Sequence, residues 1–348
     1  MSEAGSIARA LWTPAALIGG VVALALLAGP IDAPPALINL LLVVGLYVFA
    51  GNSGVLSFGH IAFMALGAYA CALITIPTFV KGALLPNLPG FLAHAHFATT
   101  PAILIAAGFV GVLAFVVSLP LMRLSGLAAG IATLALLVIV SDIITNDTAL
   151  TGGSGNVTAI PSDVHVGRLL VWVGIAIVIS FAYQRSRFGR RLIASREDEA
   201  AARSLGIHVE RERRIAFTLS AMITAVAGGL YAHYLGSIGP GSFDLSITFL
   251  IIAMLVVGGM RSLTGAVVGA VVISAVTTIL NNWEQGQTVL GIGISLPAAT
   301  TQIAVAAMLV VVLIVRPDGL SAGRELRWPG RVRLAARGDR RSAVRVSK

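Results

Sequence analysis

The sequence predicts an all-α polytopic membrane protein of about ten transmembrane helices. Hydrophobic residues make up 57% of the 348 positions and charged residues only 11%, against roughly 25% charged in soluble domains. Apolar windows near 20 residues, the length of a bilayer crossing, recur along the chain. The charge that remains is gathered into blocks: nine of the 24 basic residues lie between Arg185 and Arg214, ten between Arg316 and Lys348, and five elsewhere. A chain with a mean hydropathy of +0.93 has too few polar residues to cover a soluble surface, which excludes a soluble globular enzyme and a disordered chain. A single cysteine, Cys71, excludes an intrachain disulfide and a Cys/His metal pattern; inside an apolar run it reads as a small core residue.

The expected spans are 12–29, 34–50, 60–80, 101–121, 127–145, 168–184, 214–235, 245–260, 262–281 and 298–315. The first follows Arg9 and is read as a span rather than a cleaved signal peptide, because multi-span chains insert through their first span. The eighth is short. Residues 51–60 read either as a loop or as a break within a span. Positive-inside bias places the 185–214 loop and the basic tail in the cytoplasm. Four crossings separate them, and six precede the loop, so both termini are cytoplasmic. Arg123 and Arg261 fall inside; Lys81 and Arg168 fall outside at small cost. Without aromatic interleaving, the basic tail suits lipid headgroups and not nucleic acid.

Ten spans divide into two sets of five, and an odd set repeats inverted, as in many transporters. Gly51–Gly59 and Gly236–Asp244 occupy equivalent places. At an offset of 185, Gly51 meets Gly236, Gly54 meets Gly239, Ser57 meets Ser242 and Phe58 meets Phe243. Interrupted helices leave backbone groups unpaired, which must be buried or line a polar cavity, and helix ends favour opposite charges, as a zwitterion does. Asn52, Ser53, Ser57 and His60 are therefore candidate path residues on one side, and Ser237, Ser242 and Asp244 on the other. On this topology the two segments face opposite sides, as opposed gates would. Turns at the membrane surface are the alternative reading.

In the charged loop, Arg196–Ile207 reads as one short helix with an acidic first turn, a small apolar face at Ala200, Ala201, Ala202 and Leu205, and a stop at Gly206. An apolar face in such a loop suits docking; a solvated linker is the alternative. Among other candidates, Asp142 lies near the outer end of span five, His94, His96 and His165 fall in solvated loops, and His233 marks an interface. Gly265 and Gly269, four apart, permit close helix approach.

Gly54-Val-Leu-Ser-Phe-Gly-His-Ile-Ala-Phe63, followed by Leu66-Gly-Ala-Tyr69, resembles the signature of branched-chain amino acid ABC permeases, in the M-type rather than the H-type form. Leu150–Gly155, Arg196–Ile207, Gly228–Leu235 and Arg316–Leu320 agree with it in order and spacing. The resemblance implies a permease domain over 1–321, with 185–214 as the cytoplasmic coupling loop, and a basic cytoplasmic tail over 322–348. It implies an importer in the bacterial inner membrane that moves leucine, isoleucine or valine by alternating access. The partners it implies are an H-type permease, two cytoplasmic ATPase subunits and a periplasmic binding protein. Glu197, Glu199, Ala201, Ala202, Leu205 and Gly206 would form the coupling helix. The broad pattern of Glu-Ala-Ala, three residues, then Gly is shifted here, with Glu199 one position early. Similar chains carry urea, short amides or other amino acids.

The only lysines are Lys81 and Lys348, and neither completes a phosphate-binding loop. ATP is therefore expected on partner subunits, with no cofactor on this chain. A stand-alone secondary transporter or channel is the second reading, and it lacks mid-membrane coupling charges. An intramembrane enzyme lacks any catalytic constellation.

Overall fold

The computed structural model describes residues 3–286, 296–297, 299–316, 318–323 and 325–326. All the elements in these residues are helical apart from one isolated bridge, Val157 with Ile238. The helix α1 runs Glu3–Ser53 and is interrupted at Gly29, where φ is +81°. It is followed by α2 (His60–Thr75), α3 (Thr78–Leu84), α4 (Gly90–Ala93), α5 (Thr99–Leu121), α6 (Gly126–Asn146) and α7 (Val166–Arg185). Then come α8 (Arg187–Glu197), α9 (Glu199–Ser204), α10 (Val209–Leu235), α11 (Leu245–Gly258), α12 (Leu263–Glu284) and α13 (Thr300–Val315).

Among the described residues, seven helices are long and apolar enough to cross a membrane, and α2 with α3, bent by 119°, passes the same test as a pair, as a broken span or a re-entrant loop would. The shorter apolar stretches Trp12–Leu26 and Thr300–Val315 bring the apolar elements to ten, each overlapping an expected span. The protein is a multi-pass membrane protein. Residues 54–59 are a true break between α1 and α2. The side chain of Arg9 and the tail from 327 onward lie outside the described residues.

The second and seventh apolar elements, the Asp32–Ser53 arm of α1 and α10, pack together at the centre. Around them the partners come in matched pairs: α2 on α10 and α11 on α1; α5 on α10 and α12 on α1; α5 on α2 and α12 on α11; α6 on α2 and α13 on α11. Exchanging the first five apolar elements for the second five maps each pair onto the other, as an inverted repeat requires. The helices α2 and α11 begin at His60 and Leu245, the offset of 185 read from the sequence.

Lipid is as apolar as leucine, so spans associate through close packing more than through burial from water. A Cβ on Gly228 of α10 would lie 2.0 Å from the Met64 carbonyl oxygen of α2, and one on Gly67 of α2 would lie 2.4 Å from the Ala225 carbonyl oxygen of α10. Gly265 and Gly269 do serve packing, facing Gly258 and Met254 of α11.

Contacts between loops sort the bundle into two ends. Arg196 of α8 donates to the Gly51 carbonyl at 2.6 Å, which places the α1–α2 break at the α8–α9 end. At the opposite end Val157 pairs with Ile238, and the Asp163 carboxylate accepts from Thr99 (2.7 Å) and Arg168 (2.6 Å). Burial pushes the Asp163 carboxyl up, but Arg168 and Thr99 outweigh it and hold it below the ordinary 3.8. Its contribution to stability is therefore present above about pH 3.8 and lost as the pH falls further. Thermal unfolding in detergent should show a small loss between pH 5 and pH 3 that Asp163→Asn removes, below about 1 kcal/mol because the pair is partly exposed. An unchanged difference in the variant would assign the effect to other groups. Lys81, at the same end, is buried and donates to the carbonyls of Leu92 (3.0 Å) and Ala95 (2.5 Å). Lys81 thus ties the 85–97 loop together.

After α13 the chain turns back as a strap. Leu320 and Ser321 donate backbone bonds to Val257 (2.8 Å) and Gly258 (3.1 Å), and the Ser321 and Ser262 hydroxyls pair at 2.9 Å. The Glu325 carboxylate accepts from the N–H groups of Leu263 (2.6 Å) and Thr264 (3.2 Å), capping α12. Gly319 has φ +76°, and a Cβ there would sit 2.5 Å from the backbone of Gly259. Gly319→Ala combines a left-handed alanine, costing about 1–2 kcal/mol, with that collision. It should lower the melting temperature in detergent; an unchanged melt would show that the strap is not held as drawn.

Candidate functional site

Two features could carry function: a cavity at one end and the α8–α9 loop at the other. The cavity, of about 910 Å³, opens at the end opposite α8–α9 and lies between α1, α11, α12 and α13. Its mouth carries Asp32, Tyr234, Ser246 and Gln285; deeper lie Asn39, Ala253, Ser274 and Leu309. On α12 the polar lining recurs at Ser274, Thr277, Thr278, Asn281, Asn282 and Gln285, spacings of three and four that place them on one face. Apolar residues of α11 and α13 form the facing wall.

None of the seven expected path residues lines this cavity. Asn52 is buried and donates to the Val48 carbonyl at 2.9 Å, and the Ser53 hydroxyl accepts from the Val55 N–H at 3.2 Å, so both serve the end of α1. Ser57 and His60 do come together. Ser220 of α10 donates to the Gly45 carbonyl at 2.5 Å, so its oxygen accepts from His60 Nε2–H at 2.6 Å. The other ring nitrogen, Nδ1, then accepts from the Ser57 hydroxyl at 2.8 Å. This chain joins α1, α2 and α10 beside a small void also bordered by Thr224 and Thr248. At the opposite end Ser237 and Ser242 are half-buried and Asp244 is exposed. Ser242 accepts from the Gly239 N–H at 3.4 Å. Asp244 caps α11, accepting from Ser246 (3.1 Å) and Ile247 (3.3 Å). The N-terminus of α11 is thus already satisfied by a carboxylate of the chain itself.

The charged loop differs from the single helix expected over 196–207. The backbone breaks at Asp198, whose carboxylate accepts from the Ala201 N–H at 2.9 Å and caps α9. A capping aspartate needs extended backbone, so Arg196 and Glu197 end α8 instead. Glu199 is braced by Arg203 and Arg213, both at 2.8 Å, and the Arg203 hydrogen bond holds its carboxyl below the usual range. Glu197 pairs with Arg196 at 2.8 Å. Ala202 is buried and Ala201 exposed. Gly206, at φ +80°, stops the helix as expected. Leu205 is 80% exposed, an apolar side chain at the C-terminal end of the pinned helix α9.

His233, in the last turn of α10, is fully buried among the helices and donates from Nδ1 to the Gly229 carbonyl at 2.8 Å. Cys71 is buried, as expected. Asp142, His94, His96 and His165 are exposed. Asp32, Asn39 and Ser274 were missed by attention to loops; the polar stripe on the otherwise apolar α12 was the available signal.

A membrane-spanning bundle with matched helix contacts in its two halves and a cavity lined by a polar helix face has the architecture of a transport protein. The chain belongs to the branched-chain amino acid transport system permease component family, whose profile matches residues 35–313. It is similar to the high-affinity branched-chain amino acid transport system permease protein LivM of Salmonella typhimurium, with 27% identity covering 84% of this chain and 70% of the relative. LivM of Escherichia coli is 26% identical over the same shares. LivH of Salmonella typhimurium is 25% identical over 80% of this chain and 90% of its own. No solved structure matches the chain.

Proposed function

We propose that this protein is the permease subunit of an ATP-driven importer that carries leucine, isoleucine and valine across the bacterial inner membrane. It pairs with an H-type permease subunit, two cytoplasmic ATPase subunits power the pair, and a periplasmic binding protein delivers the amino acid. The α8–α9 end, with both termini, faces the cytoplasm, and the cavity faces the periplasm. The resemblance of the chain to both LivM and LivH supports the pairing.

The observation that carries the reading is the opposition of the two features. Leu205 stands exposed at one end while the cavity opens at the other. Force reaching α9 has a route into the bundle: α8 packs on α1 and α10, and Arg196 grips Gly51 just before the α1–α2 break. Beyond the break lies the Ser57–His60–Ser220 chain. Movement of α9 would thus shift α2 against α10, as alternating access requires.

Reconstitution tests this. The complete importer in proteoliposomes should concentrate leucine only with ATP and binding protein present. The isolated chain should not move leucine and should bind the ATPase subunits. If it carried leucine down its gradient and bound no ATPase, the importer reading would fail.

A further inference from the structure

The cavity has a floor whose chemistry differs from that of its mouth. Asp32 to Asn39 on α1 spans seven residues, about 10 Å of helix, and Gln285 to Ser274 on α12 eleven residues, about 16 Å. The hydrocarbon layer is about 30 Å thick, so the floor lies near mid-membrane. There Ser274 is 3% exposed and its hydroxyl has no hydrogen-bond partner, although it borders the cavity. An unpaired buried hydroxyl costs about 1–3 kcal/mol; a ligand reaching the floor would recover this. Asn39 supplies a carboxamide on the α1 wall of the same cavity, and Leu250, Ala253 and Leu309 supply the apolar surroundings. Among the described residues, Asp32 is the one charged residue in the lining. It sits at the mouth, where it attracts an ammonium group and repels free anions.

We propose that Asn39 and Ser274 form a ligand seat at mid-membrane within this subunit, which takes a small amino acid with a compact apolar side chain. The polar head of the ligand hydrogen-bonds to the carboxamide and the hydroxyl, and its side chain packs against Leu250, Ala253 and Leu309. Asp32 selects at the mouth for a free ammonium group. The seat rests on the importer reading for its ligand, but not for its location.

Ser274→Cys and Asn39→Cys, each placed in the full chain with Cys71→Ala, test it in the complete importer in proteoliposomes. Replacing the Ser274 oxygen removes no hydrogen bond, and Asn39→Cys provides a second position. A small methanethiosulfonate reagent added from the cavity side should modify both cysteines. Leucine at ten times its Kd should slow modification about tenfold, whereas N-acetyl-leucine, which lacks the ammonium, should not. Absence of modification would show the floor to be closed and overturn the seat. Modification unaffected by leucine, in vesicles that still take up leucine with ATP, would also overturn it and leave the importer reading intact. Protection by leucine without ATP-driven uptake would support the seat and refute the importer reading.

Discussion

Gly228→Leu is expected to abolish recovery of folded protein from membranes. The crossing of α2 and α10 is set by backbone contact, with room for no side chain: even a Cβ at this position would be 2.0 Å from the Met64 carbonyl oxygen and 2.8 Å from its carbon. A flexible neighbour could move aside, but helical backbone cannot without opening the crossing. That crossing carries Ser57 and His60 on one side and Ser220 on the other. Forced overpacking in a core costs about 1–3 kcal/mol, and more when backbone must shift, a large part of the 5–15 kcal/mol that holds a typical domain folded. Gly228→Ala should give an intermediate loss. Gly82→Leu, on the exposed face of α3 with nothing within 4 Å, should be neutral. Size-exclusion profiles and melting curves in detergent would check this; a Gly228→Leu protein that melts with the wild type would show the crossing to be looser than described.

Leu205→Asp is expected to cost ATPase recruitment at least tenfold and to reduce ATP-driven leucine uptake in proportion, while leaving the fold intact. Leu205 makes little contact within the chain, being 80% exposed, so the substitution should not change the melting temperature. Burying a leucine at an interface contributes about 1.5–3 kcal/mol, and each 1.4 kcal/mol is tenfold in affinity. An aspartate would add the cost of burying a charge at that interface. Pull-down with the cognate ATPase and uptake measurements in the same vesicles give the readouts. Wild-type recruitment would remove α9 from consideration as the docking element. The Glu199 clamp gives a milder companion. Glu199→Gln loosens α9 from Arg213 of α10 and removes its internal bridge to Arg203 without touching Leu205, and should weaken coupling of ATP hydrolysis to uptake more than binding of the ATPase.

All ten apolar elements were legible in the sequence because bilayer thickness fixes their length and the loops carry the charge. The start of α11 was legible from the repeat. The inward faces of the spans were not. In a soluble protein the apolar stripe of a helix points to the core, but spans are apolar all round, so Asn39 carried no periodic contrast that fixed its direction, and the polar stripe from Ser274 to Gln285 was the one such contrast on α12. Attention fell instead on glycine- and serine-rich breaks. There Asn52, Ser53 and Asp244 turned out to satisfy local backbone groups, a role that short polar side chains perform wherever helices end. The break at Asp198 was hidden for a related reason: Arg196-Glu-Asp-Glu-Ala-Ala-Ala reads as uninterrupted helix until one aspartate is recognised as a cap. Burial of Lys81 and His233 depended on which carbonyls the fold brought to them.

The strap has a mechanical consequence. With Ser321 bonded across the turn between α11 and α12 and Glu325 seated on the N-terminus of α12, that turn cannot serve as a hinge. The two helices form a stiff paddle, and the cavity between the paddle and α1 can change width only if the paddle swings whole. Fastening the strap to the paddle covalently should therefore be harmless to turnover, whereas fastening the paddle to α1 should arrest it.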